Sequence, residues 1–172
     1  MGAVHTGRYV VMGVSGSGKT TIGPRFAAAV GVAYLEGDEL HPRSNVQKMA
    51  AGIPLTDADR EPWLRLIAAR LREAKETGTG LVVASSALKR RYRDLLRSAG
   101  DPDVRFIYLK GSKPMIGERL AVRLGHFMPA TLLDSQFAIL EEPAPDEHAW
   151  VADVGRPIDT VVADLVARAH ES

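Results

Sequence analysis

Gly13-Val14-Ser15-Gly16-Ser17-Gly18-Lys19-Thr20 is the stretch whose reading decides the fold. It matches G-x-x-x-x-G-K-[ST] in the setting that pattern requires, after an apolar strand at about Tyr9–Val11 and at the head of a helix at Lys19–Val30. The three glycines admit backbone angles closed to other residues, so that main-chain N–H groups can converge on phosphate oxygens. The helix behind them adds the positive end of its dipole. Gly13, Ser15, Gly16, Ser17, Gly18, Lys19, Thr20 and Thr21 are therefore the candidate nucleotide-binding residues. Lys19 is expected to reach the β- and γ-phosphates, and the Thr20 hydroxyl to ligate Mg²⁺.

Outward from the loop, apolar runs alternate with helix-period segments. Strands are predicted at about Val32–Leu35, Leu81–Ala84, Val104–Leu109 and Ala149–Asp153. Helices are predicted at Asp57–Glu76, Lys89–Ser98, Lys113–Arg123, Ala130–Leu140 and Ile158–His170. The alternation predicts an α/β fold in three layers, a parallel sheet covered by helices on both faces. Proline and glycine cluster at Glu36–Leu55, Gly125–Pro129 and Glu142–Pro145, the expected loops or mobile elements. Ligands of such sheets collect outside the carboxyl ends of the strands, where the first two of these stretches should emerge.

At 172 residues the chain is about one domain, 1–172. Its 45% hydrophobic and 25% charged residues match a globular protein and argue against disorder. A net charge of +1 lacks the basic excess of a nucleic-acid or membrane-surface protein. Without cysteine there is neither a disulfide nor a thiolate metal site. Met1 to Arg8 lack the apolar core of a signal peptide, and no apolar run approaches the roughly 20 residues of a membrane span, so a cytoplasmic protein is expected.

The loop is shared by switch GTPases, motor ATPases and metabolite kinases, and other residues must separate them. Asn45 is the one asparagine, so the Asn-Lys-x-Asp motif of guanine recognition cannot be present. Leu81–Ala84 runs into Ser85-Ser86 where ATP-driven motors carry an acid. An acid at the end of the second strand must then serve, and Glu36-Gly37-Asp38 supplies two. Glu36 is the candidate for the metal, and Asp38 for the acceptor hydroxyl's proton.

From Glu36 to Leu64 the sequence EGDELHPRSNVQKMAAGIPLTDADREPWL resembles the gluconokinase family of small phosphate-loop kinases. Ser86-Ala87-Leu88-Lys89-Arg90, Tyr92-Arg93-Asp94, Gly125-His126-Phe127-Met128-Pro129 and Leu132-Leu133-Asp134-Ser135-Gln136 match the same family in order. The resemblance spans about Tyr9 to Pro143. It implies an ATP:D-gluconate 6-phosphotransferase with five parallel strands, a substrate region at about 38–65 and a lid at about 119–130. Such enzymes are usually homodimers using ATP and Mg²⁺. The resemblance places Asp38, His41, Arg60 and Lys89 around the sugar acid, with His126 and Gln136 on the same side and Lys48 as a second-rank candidate. Ser85 stands where relatives often carry cysteine, and Glu36 where aspartate is common.

The residue chemistry is suited to those roles. A sugar acid needs a cationic anchor and several hydrogen-bonding side chains, and Arg60 can grip a carboxylate with a bidentate fork. Trp63 reads as packing. Arg119 and Arg123, four apart, share one helix face and could both reach a polyphosphate during catalysis. Arg156, before the last helix, is a candidate neighbour of adenine. The rivals are a kinase for shikimate, a nucleoside monophosphate or another sugar acid, and a nucleotide-binding regulator without an acceptor.

Overall fold

The computed structural model describes residues 5–124 and 130–171, with side chains except at 123, 124 and 130–132. Five strands, β1 (Arg8–Met12), β2 (Ala33–Glu36), β3 (Leu81–Ala84), β4 (Arg105–Lys110) and β5 (Trp150–Asp153), form one parallel sheet in the order β2-β3-β1-β4-β5. Every neighbouring pair is parallel. The predicted strands are all present with ends shifted by a residue or so. β2 starts at Ala33 because the Val32 N–H is still committed to the carbonyl of Ala27, the exit of the preceding helix.

Among the described residues seven helices accompany the sheet: α1 (Lys19–Val30), α2 (Arg43–Ala50), α3 (Asp57–Thr77), α4 (Arg90–Ala99), α5 (Lys113–Leu124), α6 (Ala130–Ile139) and α7 (Ile158–Glu171). Side chains alternate across each strand, and the two faces of the central strands build two cores. Val10, Met12, Val83, Phe106 and Tyr108 pack with Trp63, Leu64, Ile67 and Leu71 of α3 and Leu96 of α4. Val11, Val82, Ile107 and Leu109 pack with Ile22 and Phe26 of α1 and Val161 and Leu165 of α7. Both faces of the central strands are thus buried, which is why they read as unbroken apolar runs. A third cluster, Val14, Leu88, Ile116, Leu120 and Leu133, ties α5 and α6 to the phosphate loop.

The Glu36–Leu55 stretch, expected as loop or mobile element with a short helix carrying Asn45 and Lys48, is partly helical. A short 3-10 turn at Gly37–Leu40 follows β2, and α2 starts just after Pro42. Buried Asn45 anchors α2 to the start of α3 through the Asp59 backbone oxygen at 2.9 Å. Thr56 and Asp59 close a capping box there, fixing where α3 begins. Gly125–Pro129, His126 and the side chain of Arg123, all read as part of a lid or its ligands, lie outside the described residues. Among the described residues no helix is long and apolar enough to cross a membrane.

Candidate active site

β1, β2 and β3 are adjacent, so the chain segments leaving their carboxyl ends must meet. From β1 comes the phosphate loop. Gly16 has φ +83°, and a Cβ there would lie 2.5 Å from Leu120 Cγ, so only glycine lets the loop fold against α5. Lys19 Nζ donates to the loop carbonyls of Gly13 at 2.7 Å and Val14 at 3.0 Å, holding its charge over the nest. Gly16, Ser17, Gly18, Thr21, Arg119 and Arg156 line one cavity of about 390 Å³, floored by Val154, Pro157 and Ile158. A cavity with phosphate-binding backbone at one end and apolar walls at the other suits a nucleotide. Arg156 is also paired with Asp164 of α7 at 2.6 Å.

From β2 comes the acidic tip. Gly37 is buried with its position for a Cβ 2.4 Å from the Ala84 carbonyl, which pins the end of β2 to that of β3. Glu36 accepts the Tyr34 hydroxyl at 2.8 Å, leaving one carboxylate oxygen uncommitted by that bond. Asp38 swings outward with its side chain 70% exposed, and its Oδ1 lies 4.0 Å from Nε2 of His41. The His41 ring stacks on Trp63 at 4.0 Å and 14° between planes, and Trp63 Nε1 donates to the Gly37 carbonyl at 2.8 Å. Trp63 is thus packing, as read, and also a brace for the acidic turn.

From β3 comes the cationic wall. Lys89 Nζ lies 3.2 Å from Asp57 Oδ1, Arg91 donates to Asp57 Oδ2 at 3.0 Å, and the Tyr92 hydroxyl donates to Asp57 Oδ1 at 2.5 Å. The bond from Tyr92 foremost, then that from Lys89, holds the Asp57 carboxyl below its ordinary pKa, and the bond to Asp57 foremost holds the Lys89 ammonium above its own. Arg60 Nη1 donates to the Leu55 carbonyl at 2.8 Å and to the Tyr92 hydroxyl at 3.2 Å. Arg60 and Lys89 both stand 5.6 Å from the centre of the Tyr92 ring, two cations over one aromatic.

Behind this wall, Arg93 is fully buried in an ion pair with Glu147 at 2.7 Å. It also donates to the carbonyls of Ala87 and Glu141, both at 2.9 Å. Ala87 has φ +43°, a conformation a non-glycine residue holds only under external constraint, and the Arg93 bond supplies it. Ser85, two residues earlier, is buried with its N–H on the Val11 carbonyl and its hydroxyl without a protein partner among the described residues.

Two of the candidate acceptor ligands are bonded to other parts of the protein. Gln136, read as an acceptor ligand, meets the phosphate loop: its Oε1 accepts the Ser15 N–H at 2.6 Å and its Nε2 donates to Ser15 Oγ at 2.8 Å. Helix α6 packs on α5 and, through Leu133, against Val14 of the loop, and carries Gln136 with it. Lys48 is bound to both carboxylate oxygens of Asp59 at 2.9 Å, a pair that closes α2 onto α3. Asp57, Tyr92 and Asn45 were not singled out for the site. The acid pair at the start of α3 and the Tyr92-Arg93-Asp94 match were the signals that pointed toward them.

The strand order, the glycine nest and the acid-tipped second strand define a phosphate-loop kinase that acts on a small molecule with ATP. A family profile described as an AAA domain matches residues 9–143. The chain is 45% identical over 159 residues to the thermoresistant gluconokinase of Escherichia coli, covering 92% of this chain and 90% of that one. To the thermosensitive gluconokinase of the same organism it is 51% identical over 155 residues, covering 89% and 82%. A gluconokinase crystal structure from Sinorhizobium meliloti superposes with a TM-score of 0.89 at 43% identity, covering 98% of this chain and 94% of that one. The chain belongs to the gluconokinase family. A shikimate kinase from Bacteroides thetaiotaomicron, at TM-score 0.59 and 18% identity, shares the fold alone.

Proposed function

We propose that the chain transfers the γ-phosphoryl group of ATP to the 6-hydroxyl of D-gluconate, giving 6-phospho-D-gluconate and ADP. The observation that carries this reading is the meeting, at the carboxyl ends of β1, β2 and β3, of an anion-binding nest with an exposed acid and a pair of cations on Tyr92. Asp38 takes the hydroxyl's proton as the oxygen attacks phosphorus and the bond to the β,γ-bridging oxygen breaks. Lys19 leaves the Gly13 and Val14 carbonyls for the phosphate, and Arg119, on the cavity wall, faces the charge that develops there. The sugar acid's carboxylate and hydroxyls meet Arg60, Lys89 and His41.

The donors for a divalent cation are the Thr20 hydroxyl and the second oxygen of Glu36, hard oxygens of the kind magnesium selects while keeping several waters. When bound, magnesium neutralises charge on the β- and γ-phosphate oxygens. The family resemblance adds two copies per molecule and a cytoplasmic setting to this proposal.

The test is acceptor-dependent ADP release across gluconate, other sugar acids, shikimate and nucleoside monophosphates, with the product identified by mass spectrometry. Release with gluconate and a phosphate on C6 is expected. Equal release without any acceptor, or preference for another acceptor, overturns the reading.

A further inference from the structure

Asn45 is 2% exposed on α2, and nothing in the reaction above uses it. Its side-chain nitrogen lies 2.9 Å from the backbone oxygen of Asp59 and 3.2 Å from Nδ1 of His41. A carbonyl oxygen only accepts, so the atom facing Asp59 is the amide nitrogen; the flipped amide would set oxygen against oxygen. That nitrogen has two hydrogens. One goes to Asp59, and the other points at His41 Nδ1, which must offer a lone pair in return. A neutral imidazole carries its single N–H on one nitrogen, so the proton resides on Nε2. Nε2 is the nitrogen that faces Asp38, and at 4.0 Å from Oδ1 it is too far for a direct hydrogen bond. One hydroxyl oxygen at about 2.8 Å from each fits across that gap, accepting from the ring while donating to the carboxylate.

We propose that Asn45 is a positioning residue that locks His41 in its Nε2–H tautomer, so that the ring presents one fixed donor to an acceptor hydroxyl beside Asp38. The proposal rests on the placement of the acceptor at Asp38 made above. The groups facing His41 are Asp38 from the 3-10 turn, Asn45 from α2, and Arg60 and Trp63 from α3. Burial holds the ring's pKa below 6.5, Asp38 opposes that shift and Arg60 adds to it. Protonating Nδ1 would also set an N–H against the Asn45 N–H. One amide therefore both selects the tautomer and disfavours the charged ring.

The decisive measurement is a long-range ¹⁵N–¹H correlation spectrum of the labelled full chain at neutral pH, without nucleotide or sugar acid, with His41 assigned from a His41→Gln sample. A protonated Nε2 and a bare Nδ1 are expected; a protonated Nδ1 or an even mixture overturns the lock. In Asn45→Ala the His41 signal should move to a mixture of tautomers and its titration midpoint should rise. KM for gluconate should increase about tenfold, the scale of one lost hydrogen bond, with KM for ATP unchanged. An unchanged spectrum overturns the lock, and a shifted spectrum with unchanged gluconate KM overturns the donation. Should Asn45→Ala not fold, the wild-type spectrum still decides the tautomer. His41→Gln, whose amide can reach the Nε2 position, should then keep gluconate binding better than His41→Asn, and the reverse ranking overturns the donation. A chain that turns over another acceptor and ignores gluconate defeats the functional reading, while the spectrum, taken without acceptor, still judges the tautomer.

Discussion

The phosphate loop and the proposed acceptor shelf stand side by side at the carboxyl ends of the strands and are built by opposite means. The loop is backbone: glycine angles, carbonyls that hold Lys19 and amides that face the cavity, all within eight consecutive residues. The shelf is side chain: Asp38 and His41 after β2, Asp57 and Arg60 on α3, Lys89 and Tyr92 after β3, each held by another. A backbone site specifies a group common to all nucleotides, whereas a side-chain site can be retuned one residue at a time for one acceptor. The two halves should therefore fail independently.

Asp38→Asn tests that independence most severely. The amide cannot take the hydroxyl's proton, so kcat should fall about a thousandfold, within the range of general-base loss. Asp38 has 70% of its side chain exposed and faces His41 of the shelf at 4.0 Å. ATP affinity by calorimetry should match wild type. A matching loss of ATP binding would break the division, and retained turnover would remove Asp38 from its role.

Much of this division could be read in the sequence. The strands themselves and the nucleotide loop follow from patterns a few residues long, and the loop's seat between β1 and α1 is dictated by them, whereas the order β2-β3-β1-β4-β5 emerges only in the fold. Asp38 was legible because β2 ends where the loop ends. The charge network was not, because its partners are distant: Asp57 and Tyr92 are 35 residues apart, and Arg93 and Glu147 are 54 apart. No periodicity links such positions, and a cation's sequence neighbours do not say which acid it will meet. The Gln136 contact was hidden for a similar reason, since 121 residues separate it from Ser15.

Glu147→Gln sharpens the comparison from further away. Burial alone would raise the Glu147 pKa, but hydrogen bonds from Arg93 and Arg97 and from the Ala144 N–H outweigh it and bring it to about 2. The folded value lies below the ordinary 4.5, so the stabilisation is fully present above about pH 4.5 and is lost as pH falls towards 2. At neutral pH the substitution should cost about 3 kcal/mol, as expected for one partner removed from a buried pair. Urea midpoints of the two chains should converge as the pH is lowered through that window; a constant gap would assign the loss to packing. Because Arg93 holds the Ala87 carbonyl, KM for gluconate should rise before KM for ATP does.

Asp57→Asn is the mildest of these changes and the one that asks what the shelf's internal pairing is for. Asp57 collects Tyr92, Lys89 and Arg91, the donors a sugar acid would meet, so it either prepares those donors or competes for them. Preparation has the stronger physical basis. The Tyr92 hydroxyl meets both Asp57 and Arg60, so a fixed Tyr92 fixes the guanidinium, and an asparagine NH₂ turned towards Lys89 or Arg91 would push both away. KM for gluconate should rise about threefold, a small effect because the side chain is one-third exposed and the charges are screened. The depressed carboxyl stays ionised as pH falls to its ordinary 3.8, so the difference between the two chains should hold constant from neutral pH down to about 4. A fall in KM would instead make Asp57 a stand-in for the substrate's own carboxylate, and the shelf would be a site held closed by its own acid.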